Sequence, residues 1–174
     1  MSGSKNLAAA AVLPVLLLAA CGGGTPVSTD ESGGALASMI HTADPAAARQ
    51  LVSGWHPIER NAWRWTAGRF SVALRPPPGA SQSGAVLLLK FSIPDPVFAQ
   101  VKEMTLGADI DGVKLAPEKF GRAGGHSFSR EVDAKLLARD TVTVSFALDR
   151  FLAPSEADRR ELGVVVSAVG FEAR

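Results

Sequence analysis

All three tryptophans of this 174-residue chain fall in one stretch, Trp55-His56-Pro57-Ile58-Glu59-Arg60-Asn61-Ala62-Trp63-Arg64-Trp65. Aromatic faces beside His56, Glu59 and Arg64 are the residue types that hold a sugar ring. The indole stacks on the ring's apolar face while charged groups bond its hydroxyls. Trp55, His56, Glu59 and Arg64 are therefore the candidate binding residues. Packing is the competing use, because Trp dominates buried area wherever it occurs. A sugar platform usually presents several exposed aromatics, and this chain has no Tyr. Trp63 and Trp65 are accordingly expected to be structural, with Trp65 the more buried and Trp55 on a connection between elements.

Other reactive residue types do not assemble. His41, His56 and His126 are far apart and in no metal-ligand spacing. Asp109-Ile110-Asp111-Gly112 echoes the start of a calcium loop without the later ligands, and hairpin chemistry accounts for it. Gly121-Arg122-Ala123-Gly124-Gly125 has no Lys-Ser/Thr after it, as a phosphate loop would. Ser127 and Ser129 lack a nucleophile-elbow context. No acid/base pair stands out, so the expectation is a protein that is not an enzyme and carries no cofactor and no metal.

Cys21, the single cysteine, takes its meaning from its surroundings. A weakly positive opening with Lys5 leads into an apolar run from Leu7 to Leu18, too short to span a bilayer comfortably, and then Leu18-Ala19-Ala20-Cys21-Gly22. This pattern resembles the bacterial lipoprotein signal. The resemblance implies cleavage before Cys21 and lipidation of that residue, which becomes the membrane anchor. In Gram-negative hosts Gly22, rather than Asp, after the cysteine leans toward the outer membrane. Residues 22–34 are rich in Gly, Ser and Thr and read as a flexible tether. The organisation expected is a signal peptide over 1–20, lipidated cysteine and tether over 21–43, and one domain over 44–174.

Charge excludes one class of partner. Without Lys5 the chain has 17 basic and 17 acidic side chains, and no basic stripe of the kind that displaces counterions from a phosphate backbone. Nucleic acid is therefore not an expected partner.

The elements that would position these residues are strands. Asp44-Pro45 starts a short N-terminal helix that Gly54 would stop. Alternation follows over 69–75, 84–93, 104–115 with an Asp111-Gly112 turn, 127–132, 141–151 and 162–171. Six or seven short strands punctuated by Gly and Pro predict an all-β fold, a single antiparallel β-sandwich of jelly-roll or Ig-like type. Trp63 and Trp65 have the opposite parity to Phe70, Val72 and Leu74, which calls for a turn or bulge at Thr66-Ala67-Gly68.

Gly54-Trp55 with Glu59, then Arg64-Trp65-Thr66, then Asp158, Arg160, Leu162 and Gly163 resemble a bacterial β-sandwich module found at the ends of glycosyltransferases and methyltransferases of envelope polysaccharides. The resemblance implies a sandwich with an accessory role and no activity of its own. Physically the two motifs can be partners: Arg64, Arg159 and Arg160 can pair with Glu59, Asp158 and Glu161 and lock the entry strand to the final one. Asp158 and Arg160 are thus structural candidates. Two functions fit, a membrane-anchored binding module for an envelope glycan or partner protein, and a structural or assembly lipoprotein docking in an envelope complex.

Overall fold

The computed structural model describes residues 36–174. The segment expected to be a signal peptide, Cys21 and most of the expected tether lie outside the described residues. Among the described residues there are ten strands: β1 (Met39–His41), β2 (Leu51–Glu59), β3 (Trp63–Leu74), β4 (Ala85–Ile93), β5 (Met104–Ile110), β6 (Val113–Lys114), β7 (Glu118–Phe120), β8 (Gly124–Val132), β9 (Val142–Leu148) and β10 (Val165–Ala173). Every pairing between them is antiparallel.

The longest strand, β3, joins two layers. Its start pairs with β10 (Val165↔Trp65, Val166↔Arg64). Its last residues, on the same edge, pair with β9 from Arg69↔Ala147 to Leu74↔Val142, while β2 runs along the other edge. From β10 the sheet continues through β4 to β8, and from β9 through β5 to β6 and β7. The two wings fold over one another as a β-sandwich. Phe128 of β8 meets Phe146 of β9 at 6.5 Å between ring centroids, and Phe91 of β4 meets Phe120 of β7 edge-on at 5.0 Å. Strict alternation fills the core. In β5 and β9 every second residue is buried, including Leu106, Ile110, Val144 and Phe146. In β4, covered more completely, Leu87, Leu89 and Ile93 are fully enclosed.

Several local expectations are revised. The tether, expected to reach residue 43, ends earlier: Met39–His41 pair with Gly170, Val169 and Ala168 of β10. Ile40 is buried there, and the Thr42 hydroxyl donates to the Val166 carbonyl. This segment extends the edge of β10 that β3 leaves unpaired. The N-terminal helix exists as a 3-10 turn over Pro45–Gln50, with the Asp44 carboxylate accepting from Ala46 N at 2.8 Å. Gly54 does not stop it. The chain passes directly into β2 because the buried Gln50 side chain bonds Ala37 N, Ala37 O and Ala73 O at 2.8–3.0 Å. Gly54 sits within β2 at φ +73°, where an added Cβ would overlap the Arg69 carbonyl. Trp55 is consequently on a strand, not on a connection.

The break expected at Thr66-Ala67-Gly68 exists relative to β2 alone. Between Trp55↔Thr66 and Ser53↔Ser71, β3 carries residues 67–70 opposite the single Gly54. Inside β3 the alternation runs through, with Thr66, Gly68, Phe70, Val72 and Leu74 all buried. A seven-residue helix (Asp95–Val101) begins after Pro94, packing Val97 into the core.

One side chain closes the open side of the sandwich. Arg130 of β8 reaches the Ala116 carbonyl with Nε, the Pro117 carbonyl at 3.1 Å and the Glu118 carboxylate at 2.9 Å, with its guanidinium 4.3 Å from the Phe128 ring centre. It ties the outermost strand of one layer to the segment entering β7 in the other.

Because Gly54 combines left-handed backbone with direct contact on the Arg69–Phe70 main chain, Gly54→Ala is expected to destabilise the domain by about 3 kcal/mol, roughly 10 °C in Tm. Thermal unfolding followed by circular dichroism measures this, and a Tm within 2 °C of wild type contradicts it.

Candidate functional site

The residues singled out from the sequence converge on one corner, where the β2–β3 hairpin meets the segment between β9 and β10. Trp55 is half-buried: Nε1 donates to the Ser71 carbonyl at 2.7 Å, and the ring meets Phe70 edge-on at 5.1 Å. Phe70 in turn stacks on Phe146 at 4.9 Å. Trp65, also half-buried, packs against the same core. Trp63 lies near the hairpin tip, where Arg60 and Asn61 adopt φ of 51° and 53° and the Arg60 guanidinium sits 5.7 Å over the indole.

Polar groups of this corner bond one another. The Arg160 guanidinium holds the Asp158 carboxylate through Nε at 3.0 Å and a second nitrogen at 2.9 Å, and Glu59 at 2.7 Å. The pairing of Arg160 with Glu59 and Asp158 read from the sequence is present. Arg64 and Glu161 act differently, on the backbone instead of on opposite charges. Arg64 donates to the carbonyls of Thr42 at 3.0 Å and His56 at 3.3 Å. The Glu161 carboxylate accepts Gly68 N at 2.6 Å, and the Glu161 carbonyl accepts from His56 Nε2 at 2.7 Å. Arg159 is exposed. The hydrogen bond from the Arg160 guanidinium, then that from the Arg160 backbone N–H, hold the Asp158 carboxyl at about 2; the Arg160 guanidinium is correspondingly raised, by Asp158 first and then Glu59.

A concavity forms elsewhere, at residues the sequence did not bring together. A groove of about 850 Å³ opens beside β4 and β8. Buried Phe91 and Phe120 form its floor, with the His126 ring between them at 5.5 and 4.9 Å. Lys90, Ser127 and Ser167 lie on three neighbouring strands along one wall. The other wall is Lys119 of β7 with Gly121 and Arg122 of the following loop, which is folded back by His126 Nε2 donating to the Arg122 carbonyl at 3.0 Å and by Arg122 donating to the Gly125 carbonyl at 3.3 Å. Its carboxylate, Glu118, is bonded to Arg130, and Lys119 shares Glu103 at 3.4 Å. Among the described residues, Lys90 and Arg122 have no carboxylate partner. In the sequence the segment 121–125 shows only an incomplete phosphate-loop pattern. Nothing local in either segment signals the groove, since Lys90 and Arg122 both reach it only through the β4–β8 register and the loop that precedes β8. Among the described residues no group of three His, Cys, Asp or Glu could hold a metal ion.

No protein-family model matches this sequence, and no curated protein is significantly similar to it. Among solved structures, the CBM36-1 domain of a multidomain xylanase from the hindgut metagenome of Trinervitermes trinervoides aligns at TM-score 0.46 and 9% identity, over 78% of this chain and 96% of that one. The mannan-recognising carbohydrate-binding module TmCBM27 aligns at 0.44 and 13%, over 80% and 97%. An acetyl xylan esterase from the rumen bacterium Butyrivibrio proteoclasticus aligns at 0.44 and 12%, over 80% of this chain and 34% of its own. At these scores and identities the likenesses contribute nothing to assigning a ligand.

The corner makes stability depend on acid. A carboxyl held at about 2, below its usual value near 4, stabilises the fold fully above about pH 4 and loses that contribution as the pH falls toward 2. Asp158→Asn should lower Tm at pH 7, and the difference from wild type should shrink steadily between pH 4 and 2. Denaturation curves across that range test it; a difference independent of pH would contradict it.

Proposed function

We propose that this chain is a membrane-anchored bacterial lipoprotein whose non-catalytic β-sandwich binds an envelope glycan through the groove beside β4 and β8. The groove is the observation that carries the reading: it is open to solvent and lined by the exposed Ser127 and Ser167 hydroxyls, the cations Lys90, Lys119 and Arg122 and the half-buried His126 ring, above buried Phe91 and Phe120. Trp55, His56, Glu59 and Arg64, the binding candidates of the sequence, are instead assigned to holding the corner, because their polar groups bond within the protein. A purely docking role is supported less. The exposed large apolar side chains among the described residues, Val52, Val113 and Phe151, lie on three separate elements, β2, β6 and the segment after β9.

Anchoring rests on Leu18-Ala19-Ala20-Cys21. No helix among the described residues is long and apolar enough to cross a membrane. One acyl chain binds a bilayer marginally, each buried CH₂ adding about 0.8 kcal/mol, so two or three chains on Cys21 would hold the domain durably. The envelope is the proposed location, on the outer membrane where the host is Gram-negative.

Cys21→Ser, expressed in a bacterium, should lose acylation and leave the membrane fraction; a variant sedimenting with membranes as wild type does contradicts the anchor. For the groove, Gly125→Trp is diagnostic, since a Cβ added at this groove-lining position meets no neighbouring atom within 4 Å. It should keep the wild-type Tm and lose at least tenfold in affinity for purified envelope polysaccharide in a co-sedimentation assay. Unchanged binding would remove the groove from the site.

A further inference from the structure

Resting on the glycan reading, we infer that the groove selects an acidic glycan, its anionic sugar substituent held by Lys90 and Arg122. Lys90 is the informative residue. It interrupts the apolar run Val86-Leu87-Leu88-Leu89-Lys90-Phe91 in the middle of β4. Lysine on an edge strand guards against aggregation, but β4 is central, paired with β10 on one side and β8 on the other. Its cross-strand neighbours are small: Ser127 stands opposite it on β8 and Ala168 on β10, and the Ser167 hydroxyl donates to the Lys90 carbonyl at 3.2 Å. Lys90 is exposed at the groove and its ammonium has no carboxylate partner among the described residues.

Arg122 completes the pair of charges. Its bond to the Gly125 carbonyl orients the guanidinium across the loop and leaves donors for a carboxylate or phosphate, which a planar fork grips better than an ammonium does. In a sequence whose basic and acidic residues balance apart from Lys5, cations gathered beside one already bonded carboxylate raise the local concentration of anions. Carboxylate and phosphate substituents share this chemistry. A bilayer surface fits less well: the apolar floor residues Phe91 and Phe120 are buried and cannot insert, whereas Ser127, Ser167 and the exposed Gly121 and Gly125 backbone suit a hydroxyl-rich chain.

The test is calorimetry on the full chain in non-ionic detergent, with oligogalacturonate, a phosphorylated oligomannose, neutral oligomannose of equal length, and vesicles of phosphatidylglycerol in phosphatidylcholine. One or both acidic oligomers should bind at least tenfold tighter than the neutral one, and weaken as salt is raised. Lys90→Gln and Arg122→Gln should each lose about five- to tenfold for the acidic oligomer with Tm unchanged. Equal affinity for neutral and acidic oligomers, insensitive to both substitutions, overturns acidic selection and leaves the glycan reading standing. Binding to none of the oligomers overturns both. Vesicle binding alone, abolished by Lys90→Gln, would make the groove a lipid-headgroup site and also overturn both.

Discussion

A strand edge can satisfy one neighbour along its whole length, or two neighbours that part company. On β3 the second case applies, and the gap between β10 and β9 leaves backbone groups without a ladder. An unpaired buried N–H is costly, so the divergence is possible only where other groups reach in. Here the last turn of the chain before β10 does so. Gly163 N donates to the Thr66 carbonyl at 2.7 Å, Thr66 N to Val164 O at 2.9 Å, and Val164 N to the Thr66 hydroxyl at 3.2 Å. Gly68 N, one step further into the gap, is met by the Glu161 carboxylate. Everything about the two wings follows from this one repaired gap.

Around that gap the charged corner gains its purpose. Glu161 must stay aimed at Gly68, and its own backbone is held by His56, while its neighbour Arg160 is fixed between Asp158 and Glu59. Gly163 leaves no alternative: a Cβ would lie 2.6 Å from the Ala67 carbonyl. The exposed part of such ion pairing contributes little energy by itself. What it fixes is the direction of the segment from which the gap is filled.

The sandwich was legible in the sequence because β4, β5, β9 and β10 bury their faces by simple alternation or full enclosure. β1 and β2 were not. Three residues of β1 carry too little pattern to separate from a tether, and β2 contains Gly54 and Pro57, which normally end strands. Pro57 falls between the Trp55↔Thr66 and Ile58↔Arg64 pairs, where the register slips and no ladder donor is demanded of it. The corner was readable as two motifs with complementary charge, though Arg64 and Glu161 turned out to serve backbone groups, a choice that composition cannot reveal. The groove was illegible for a different reason. Its walls are residues some thirty positions apart, united by the β4–β8 register (Lys90↔Ser127, Phe91↔His126).

The two walls of the groove belong to different layers: Lys119 and Phe120 stand on β7, while Lys90 and His126 stand on β4 and β8. Two sheets packed only by apolar contact can slide, and an opening between them would breathe in width. Arg130, anchored on three oxygens of the opposite layer, sets that width before anything enters. The conformational entropy of fixing the jaws is then lost during folding and not on encounter. Were the proposed glycan to enter, a mouth fixed in this way would select by shape as well as by charge, since a bulkier chain could not spread it without prising the sandwich apart.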